Sequence, residues 1–264
     1  NEGAALPVST DQEIALFGVT SYDFIAGGTG SGNVNRPYVV DLMSGLSNSG
    51  FRLEPDVDAF YKEYMEDEKY RRNRINGTNP WYVDREPAIE VVPVELIQNA
   101  AEKADAAVIT IGRVFGEGKD RDYFHSYLLS AREQELIDCV SRSFHAKGKK
   151  VSVILNCGGV IDMCSWQDKA DAILLCWQPG QEGGNTVASV LCGDVNPSGK
   201  MVDTIAKSYD CYPCKDDFWE CFDHVDYSDD IYVGYRYFET IPGAKENVRY
   251  PFGFGLSYTK FELS

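Results

Sequence analysis

The chain is short of positive charge. Its 264 residues carry 25 Lys and Arg against 41 Asp and Glu, which gives a formal net charge of −16. A surface of that sign repels phosphates, so we expect neither nucleic acid nor an anionic membrane surface as a partner. No apolar run approaches the length of a membrane-spanning helix, and the sequence has no internal repeats or low-complexity segments. What remains is a globular domain that is long enough for one sizeable core.

Targeting and metal signals are also scarce. The first residues show no signal-peptide pattern, so we expect a cytoplasmic protein, or an extracellular one if the intact protein carries a signal upstream. Four of the eight cysteines fall in or beside apolar segments, where a thiol packs as a small hydrophobic group. Cys211 and Cys214, with Cys221 and His224, resemble a zinc spacing. The loop-like residues between them favour reduced thiols, so no metal and no cofactor are predicted.

Short apolar segments alternate with segments of helical periodicity along most of the chain. The predicted strands cover residues 13–18, 106–111, 151–156 and 172–177, with a further short candidate at 51–53. The predicted helices cover residues 38–49, 56–74, 94–103, 160–166 and 183–191, with a further helix that begins after a Ser130-x-x-Glu133 capping box. This alternation predicts an α/β fold, a three-layer α/β/α sandwich around a doubly wound, mainly parallel sheet. Residues 1–264 then form one domain, with an irregular Tyr-rich tail packed on it from about residue 201.

One turn has the features of a functional site. Glu117 stands between two glycines just beyond the predicted strand 106–111. In open α/β sheets, ligands bind in the crevice beyond the carboxyl ends of the strands. The side chains expected to border this site are Arg113, Phe115, Asp120, Arg121 and His125. A carboxyl group that donates a proton at neutral pH needs a raised pKa, which the nearby cations would lower. If Glu117 has that role, we expect Asp120 and other carboxylates to pair with most of these cations.

A glycine-rich turn at residues 27–32 follows the first strand and suggests a rival function. A strand, a glycine-rich turn and a helix in succession are typical of phosphate-binding sites. The match is poor, because there is no Gly-x-Gly-x-x-Gly in register and no Gly-Lys-Ser/Thr. Nucleotide binding therefore remains an alternative, as does a non-catalytic carbohydrate-binding role.

The Glu117 turn also carries a family resemblance. Its Gly-Glu-Gly-x-Asp-Arg pattern, at residues 116–121, resembles the second domain of glycoside hydrolase family 3, which includes β-glucosidases and β-xylosidases. Further segments agree with that family in order: Asn-Glu-Gly-Ala-Ala-Leu-Pro at 1–7, the glycine-rich turn at 27–32, Trp-Gln-Pro-Gly-Gln-Glu-Gly-Gly-Asn at 177–185, Gly-Asp-Val-Asn-Pro-Ser-Gly-Lys at 193–200, Tyr-Val-Gly-Tyr-Arg-Tyr-Phe at 232–238 and Pro-Phe-Gly-Phe-Gly-Leu-Ser-Tyr at 251–258. The resemblance spans nearly the whole chain.

This resemblance implies half of an active site. Enzymes of the family are retaining, exo-acting β-glycosidases that release terminal non-reducing β-linked sugars from oligosaccharides or glycosides. Glu117 matches their general acid/base, and Ser31 is the expected hydrogen-bond partner of a sugar hydroxyl. The nucleophilic Asp belongs to a (β/α)8 barrel domain that is absent from this chain and lies in the same or a separate polypeptide. The sequence does not identify the sugar or its linkage, and it leaves open a homodimer.

Overall fold

The fold is built on a five-stranded parallel sheet. A computed structural model describes residues 1–76, 90–115, 117, 123–215, 223–224 and 226–260. Within these residues the sheet has the strand order β2-β1-β3-β4-β5, and every pair of neighbouring strands is parallel. The strands are β1 Glu13–Phe17, β2 Arg52–Leu53, β3 Ala106–Arg113, β4 Lys150–Cys157 and β5 Ala172–Leu175.

The predicted parallel sheet is confirmed. Its central strands are buried almost throughout, as expected of parallel strands that are covered on both faces and therefore lack an alternating polar pattern. The third strand runs two residues further than predicted and ends at Arg113. The turn that bears Glu117 therefore starts directly from the end of a buried strand.

Two groups of helices cover the sheet and make the three-layer sandwich. The helices are α1 Leu42–Asn48, α2 Pro55–Asn76, α3 Val94–Lys103, α4 Ala131–His145 and α5 Gly183–Leu191. One group consists of α2, α3 and α4, which contact one another in sequence, and the other consists of α1 packed against α5. The second contact is very close: a Cβ atom added at Gly184 would lie 1.9 Å from the carbonyl oxygen of Asp41. Within the described residues, no helix is both long and apolar enough to span a bilayer.

Two predicted helices differ from the structure. The helix predicted over residues 38–49 begins only at Leu42, because the Asp41 side chain accepts a hydrogen bond from the backbone N–H of Ser44 and caps the helix there. The segment 160–166, predicted to be helical, has no helix. The Asp162 backbone N–H instead donates to the carbonyl of Tyr127, and the Asp162 carbonyl accepts from the Trp166 indole at 2.7 Å. Tertiary partners thus replace helical hydrogen bonds.

The tail beyond residue 201 is more regular than predicted. It contains α6 Tyr235–Thr240 and a two-stranded antiparallel sheet formed by β6 Ile205–Ala206 and β7 Val248–Tyr250. Ala206, Phe238 and Ala244 form a small core of their own, whereas Ile205 belongs to the main core. The tail therefore packs on the sandwich through a short sheet.

Candidate functional site

The strand order places the predicted site at the junction of β1 and β3. From β1 the chain crosses to β2 on one side, and then returns past β1 to β3 on the other side. The connections thus leave the carboxyl ends of β1 and β3 in opposite directions, which opens a crevice where ligands bind in doubly wound folds. Ser31 lies in the loop that follows β1, and Glu117 lies in the turn that follows β3. The topology therefore brings these two residues to the same edge.

Ser31 and Glu117 are in direct contact. The Ser31 hydroxyl donates a hydrogen bond to Glu117 Oε1, and the Ser31 backbone N–H donates to Oε2 at 3.1 Å. The close approach depends on Gly30, which has φ +64° and lies so near that an added Cβ atom would be 2.7 Å from the Glu117 Cβ atom. Only glycine combines that backbone angle with so little space. The loop after β1 therefore holds the carboxylate at both oxygens.

This contact lowers the pKa of Glu117. The carboxylate is exposed, and the two hydrogen bonds from Ser31, first that of the side chain and then that of the backbone, lower the pKa of Glu117 below its usual range. Phe115, two residues before Glu117, is itself 40% exposed and does not bury the carboxylate. An exposed glutamate is ionised at neutral pH, and the lowered pKa keeps Glu117 in this form, which accepts a proton.

Arg113 forms a buried ion pair with Glu133. Its guanidinium group is 2% exposed and forms two hydrogen bonds with the Glu133 carboxylate, at 2.6 and 2.7 Å. Burial alone would lower the pKa of Arg113, but the hydrogen bonds and the charge of Glu133 outweigh burial and raise it. The positive charge of Arg113 is thus neutralised, as expected for the cations near Glu117, although the partner is Glu133 and not Asp120.

Glu133 also starts the next helix. It belongs to the predicted capping box at the N-terminus of α4, which is confirmed: the Ser130 side chain accepts from the Glu133 N–H, and the Glu133 carboxylate accepts from the Ser130 N–H at 2.8 Å. One carboxylate thus joins the end of β3 to the beginning of α4. The segment between them, which includes Glu117, is fixed at both ends.

The other predicted site residues have different outcomes. Phe115 is held through its backbone, because its carbonyl accepts a hydrogen bond from the Gln178 side chain at 3.4 Å. His125 is exposed on the helical turn Tyr123–Tyr127, and its place at the border of the site stays a prediction. Asp120 and Arg121 lie outside the described residues.

The geometry speaks against phosphate binding by the glycine-rich turn. The two donors of Ser31 that could hold a phosphate are engaged by the Glu117 carboxylate. The first helix after the turn is capped by Asp41, a negative residue at the position that a phosphate would need. The described residues also contain no cluster of three or more His, Cys, Asp or Glu side chains that could hold a metal ion.

A cavity lies elsewhere, along the outer strand β5. It has a volume of about 480 Å³, and its walls come from β5, α5 and the tail, including Leu174, Val190 and Phe254. Neither Ser31 nor Glu117 lines this cavity. Its size therefore does not make it the candidate site, which is defined by the carboxylate at the junction of β1 and β3.

Comparison with known proteins decides the family. The model of the glycosyl hydrolase family 3 C-terminal domain matches residues 1–258. The chain belongs to glycoside hydrolase family 3. Over 292 aligned residues, this family 3 domain is 41% identical to beta-glucosidase A of Butyrivibrio fibrisolvens, with 100% of the domain and 33% of that protein covered. An exo-alpha-(1->6)-L-arabinopyranosidase of Bifidobacterium longum is 30% identical, with 98% of the domain and 30% of that protein covered.

Solved structures agree with the fold. The structure of beta-glucosidase 3B from Thermotoga neapolitana in complex with glucose superposes with a TM-score of 0.88 at 39% sequence identity. The match covers 99% of the family 3 domain and 36% of that chain. The domain therefore spans about a third of the length of these relatives, which are larger enzymes with further chain beyond this unit.

The structure also shows residues that the sequence analysis missed. Asn156, at the end of β4, bonds to the loop after β1 and to the turn after β5 through its buried side chain. Gln178 connects that turn to Phe115. The only sequence signal for Asn156 was a polar residue at the end of an apolar strand.

Proposed function

We propose that this domain supplies the general acid/base of a retaining, exo-acting β-glucosidase, and that Glu117 is that residue. The observation that carries the proposal is the exposed Glu117 carboxylate, held by Ser31 at the strand ends where ligands bind in this fold. The relatives support the substrate class, since several are β-glucosidases and one was solved with glucose.

The mechanism needs a second carboxyl group from outside this chain. A retaining glycosidase uses a nucleophile that attacks the anomeric carbon, at a separation of about 5–5.5 Å from the acid/base. We place the nucleophilic Asp on the (β/α)8 barrel domain of the intact enzyme. In the first step Glu117 protonates the leaving oxygen, and in the second it removes a proton from the attacking water. The product keeps the anomeric configuration of the substrate.

The two steps require two protonation states of Glu117. The hydrogen bonds from Ser31 favour the carboxylate, which suits the second step. For the first step, closure of the cleft against the barrel would exclude water from Glu117, and the nearby nucleophilic carboxylate would add a like charge. Both changes raise the pKa of a carboxyl group. A bound sugar would also compete for the Ser31 hydroxyl, which we expect to hydrogen-bond it.

The leaving group of the substrate provides the test. General acid catalysis typically contributes about 10²–10⁴-fold. In the intact enzyme, Glu117→Gln should slow hydrolysis of an alkyl glucoside by about that factor, while the glycosylation of the enzyme by a dinitrophenyl glucoside should slow far less, because that leaving group scarcely needs a proton. Equal losses on both substrates would contradict the acid role.

Glu182 offers a matched control. It is a second exposed glutamate that accepts a hydrogen bond from a hydroxyl group, that of Tyr38 at 2.5 Å, and its pKa is likewise lowered, first by this bond. Glu182→Gln should not produce a leaving-group dependence. The isolated 264-residue chain should hydrolyse neither substrate above background, because the nucleophile is missing. Because one relative is an arabinopyranosidase, the same assay should include glycosides of pyranose sugars other than glucose.

A further inference from the structure

A single buried amide lies beneath the loops of the candidate site. Asn156, near the end of β4, is 0% exposed. Its Oδ1 atom accepts a hydrogen bond from the Ile25 backbone N–H at 2.7 Å. Its Nδ2 atom donates to the carbonyl oxygens of Ile25, at 3.0 Å, and of Trp177, at 2.7 Å. The two carbonyls need donors and the N–H needs an acceptor, so the backbone fixes the orientation of the amide.

The partners of Asn156 belong to two different loops. Ile25 lies in the loop that follows β1 and continues to Ser31. Trp177 lies just beyond the end of β5 and has φ +53°, a left-handed backbone angle that a bulky residue rarely adopts. The carbonyl of this residue accepts the hydrogen bond from Asn156. The side chain of Asn156 thus bridges the segments that leave two strands.

The turn after β5 reaches the Glu117 turn in its own right. Gln178, directly after Trp177, donates to the carbonyl of Phe115, two residues before Glu117. In the same turn the Gly180 backbone N–H donates to the carbonyl of Ala26 at 2.9 Å. The loops after β1, β3 and β5 are therefore connected by hydrogen bonds. The buried Asn156 side chain joins the first of these loops to the third.

We propose that Asn156 is a positioning residue, which fixes the loop bearing Ser31 against the turn bearing Glu117 and so maintains the hydrogen bonds between these two residues. The expected effect of Asn156 on catalysis rests on the proposed function. Its expected effect on the pKa of Glu117 does not. A buried amide with a purely structural role would stabilise the fold without changing the pKa of the Glu117 carboxyl group. A positioning role makes the pKa of Glu117 depend on a residue that does not touch it.

The experiment measures the pKa of Glu117 in the 264-residue chain by carbon NMR of labelled glutamate. The main variant is Asn156→Asp, which keeps the shape but replaces the Nδ2 donors by a carboxyl oxygen. Asn156→Leu, which adds no charge, must shift the pKa of Glu117 in the same direction if the lost hydrogen bonds are the cause. We expect the pKa of Glu117 to rise at least to the value found in Ser31→Ala, because Ser31→Ala removes only the hydroxyl bond and keeps the bond from the backbone N–H. The double variant should titrate like Asn156→Asp alone, because that change already disrupts the hydroxyl bond that Ser31→Ala removes.

The matched control is Ser152→Ala on the same strand. Ser152 is also buried, at 3% exposure, but it pairs with Val108 and Ala172 inside the sheet and not with the site loops. This variant should leave the pKa of Glu117 unchanged. If folded Asn156→Asp also leaves that pKa unchanged, the positioning role is refuted, whatever happens to the melting temperature.

A second measurement needs no variant, so it does not depend on whether Asn156→Asp folds. In the unaltered chain, the Ile25 amide should exchange with solvent far more slowly than the amides of Gly27 and Ser31, because only Ile25 donates to the buried Asn156 oxygen. Rapid exchange at Ile25 would overturn the proposal. In the intact enzyme, Asn156→Asp should lower kcat by about 10²-fold, the usual effect of a small misplacement of a catalytic group, with KM changed less.

These readouts separate the inference from the proposed function. If Glu117 were not the acid/base, Glu117→Gln would show no dependence on the leaving group, yet Asn156→Asp would still shift the pKa of Glu117. If only the positioning role failed, Glu117→Gln would show its leaving-group dependence, while Asn156→Asp would shift no pKa.

Discussion

The ion pair between Arg113 and Glu133 is the sharpest target for a stability experiment. Both side chains are almost fully buried, at 2% and 1% exposure. Arg113 also donates to the backbone carbonyls of Ser126 and Leu128, at 3.1 and 3.2 Å. The variant Glu133→Gln keeps the size of the side chain but leaves the guanidinium charge buried without its counter-charge.

The expected loss is large. Removing one partner of a buried ion pair costs about 3–5 kcal/mol, because the remaining charge cannot return to water. The free energy of unfolding should fall by that amount in Glu133→Gln. For domains of nearly this size, about 1 kcal/mol corresponds to about 2–4 °C in melting temperature. The melting temperature should therefore fall by about 6–20 °C.

Urea unfolding followed by circular dichroism measures this loss, and α4 supplies the control. Arg132 and Glu135 form an ion pair on the same helix with side chains 50% and 59% exposed, and exposed pairs contribute only about 0–1 kcal/mol. Glu135→Gln should therefore change the unfolding free energy very little. If Glu133→Gln were as mild as Glu135→Gln, the account of Arg113 as a buried, neutralised charge would be wrong.

Three further predictions follow from particular contacts. Ser31→Ala should raise the pKa of Glu117 toward the usual glutamate value near 4.3, because its hydrogen bonds lower it; an unchanged NMR titration would contradict the contact. Burial raises the pKa of Glu90 from 4.5 to about 7, so the folded state binds this proton more tightly than the unfolded state. The free energy of unfolding should therefore fall by roughly 3 kcal/mol as pH rises from about 5 to 8. Glu90→Gln should flatten that pH profile in urea titrations. Gly184→Ala should cost at least about 1–3 kcal/mol through overpacking, since the added Cβ atom would meet the Asp41 carbonyl at 1.9 Å; an unchanged unfolding midpoint would refute the tight contact of α1 with α5.

The regular elements could be predicted because their signals are local. The apolar strands, the helices α3 and α5 and the capping box of α4 are each encoded by a few neighbouring residues, and the structure confirms them. The position of Glu117 at the carboxyl end of a strand followed from the same local pattern. The family resemblance added its expected role, which periodicity alone does not give.

The contacts that define the site depend on tertiary structure. Ser31 and Glu117 are 86 residues apart in sequence, and no local pattern shows that the hydroxyl meets the carboxylate and lowers its pKa. Arg113 follows the predicted strand in sequence, but the strand of the structure extends to include it, and Glu133 neutralises its charge. The segment 160–166 lost its predicted helix for the same reason, since a tertiary partner at Tyr127 binds its backbone.

The role of Glu117 is tested most directly by chemical rescue of the intact enzyme. In Glu117→Ala, the glycosyl-enzyme formed from a dinitrophenyl glucoside lacks a general base for water, so it should accumulate. Azide needs no base and fits the vacated space, so it should speed turnover and yield β-glucosyl azide, with the configuration of the substrate retained. No acceleration by azide, or a product of inverted configuration, would contradict Glu117 as the acid/base of a retaining enzyme.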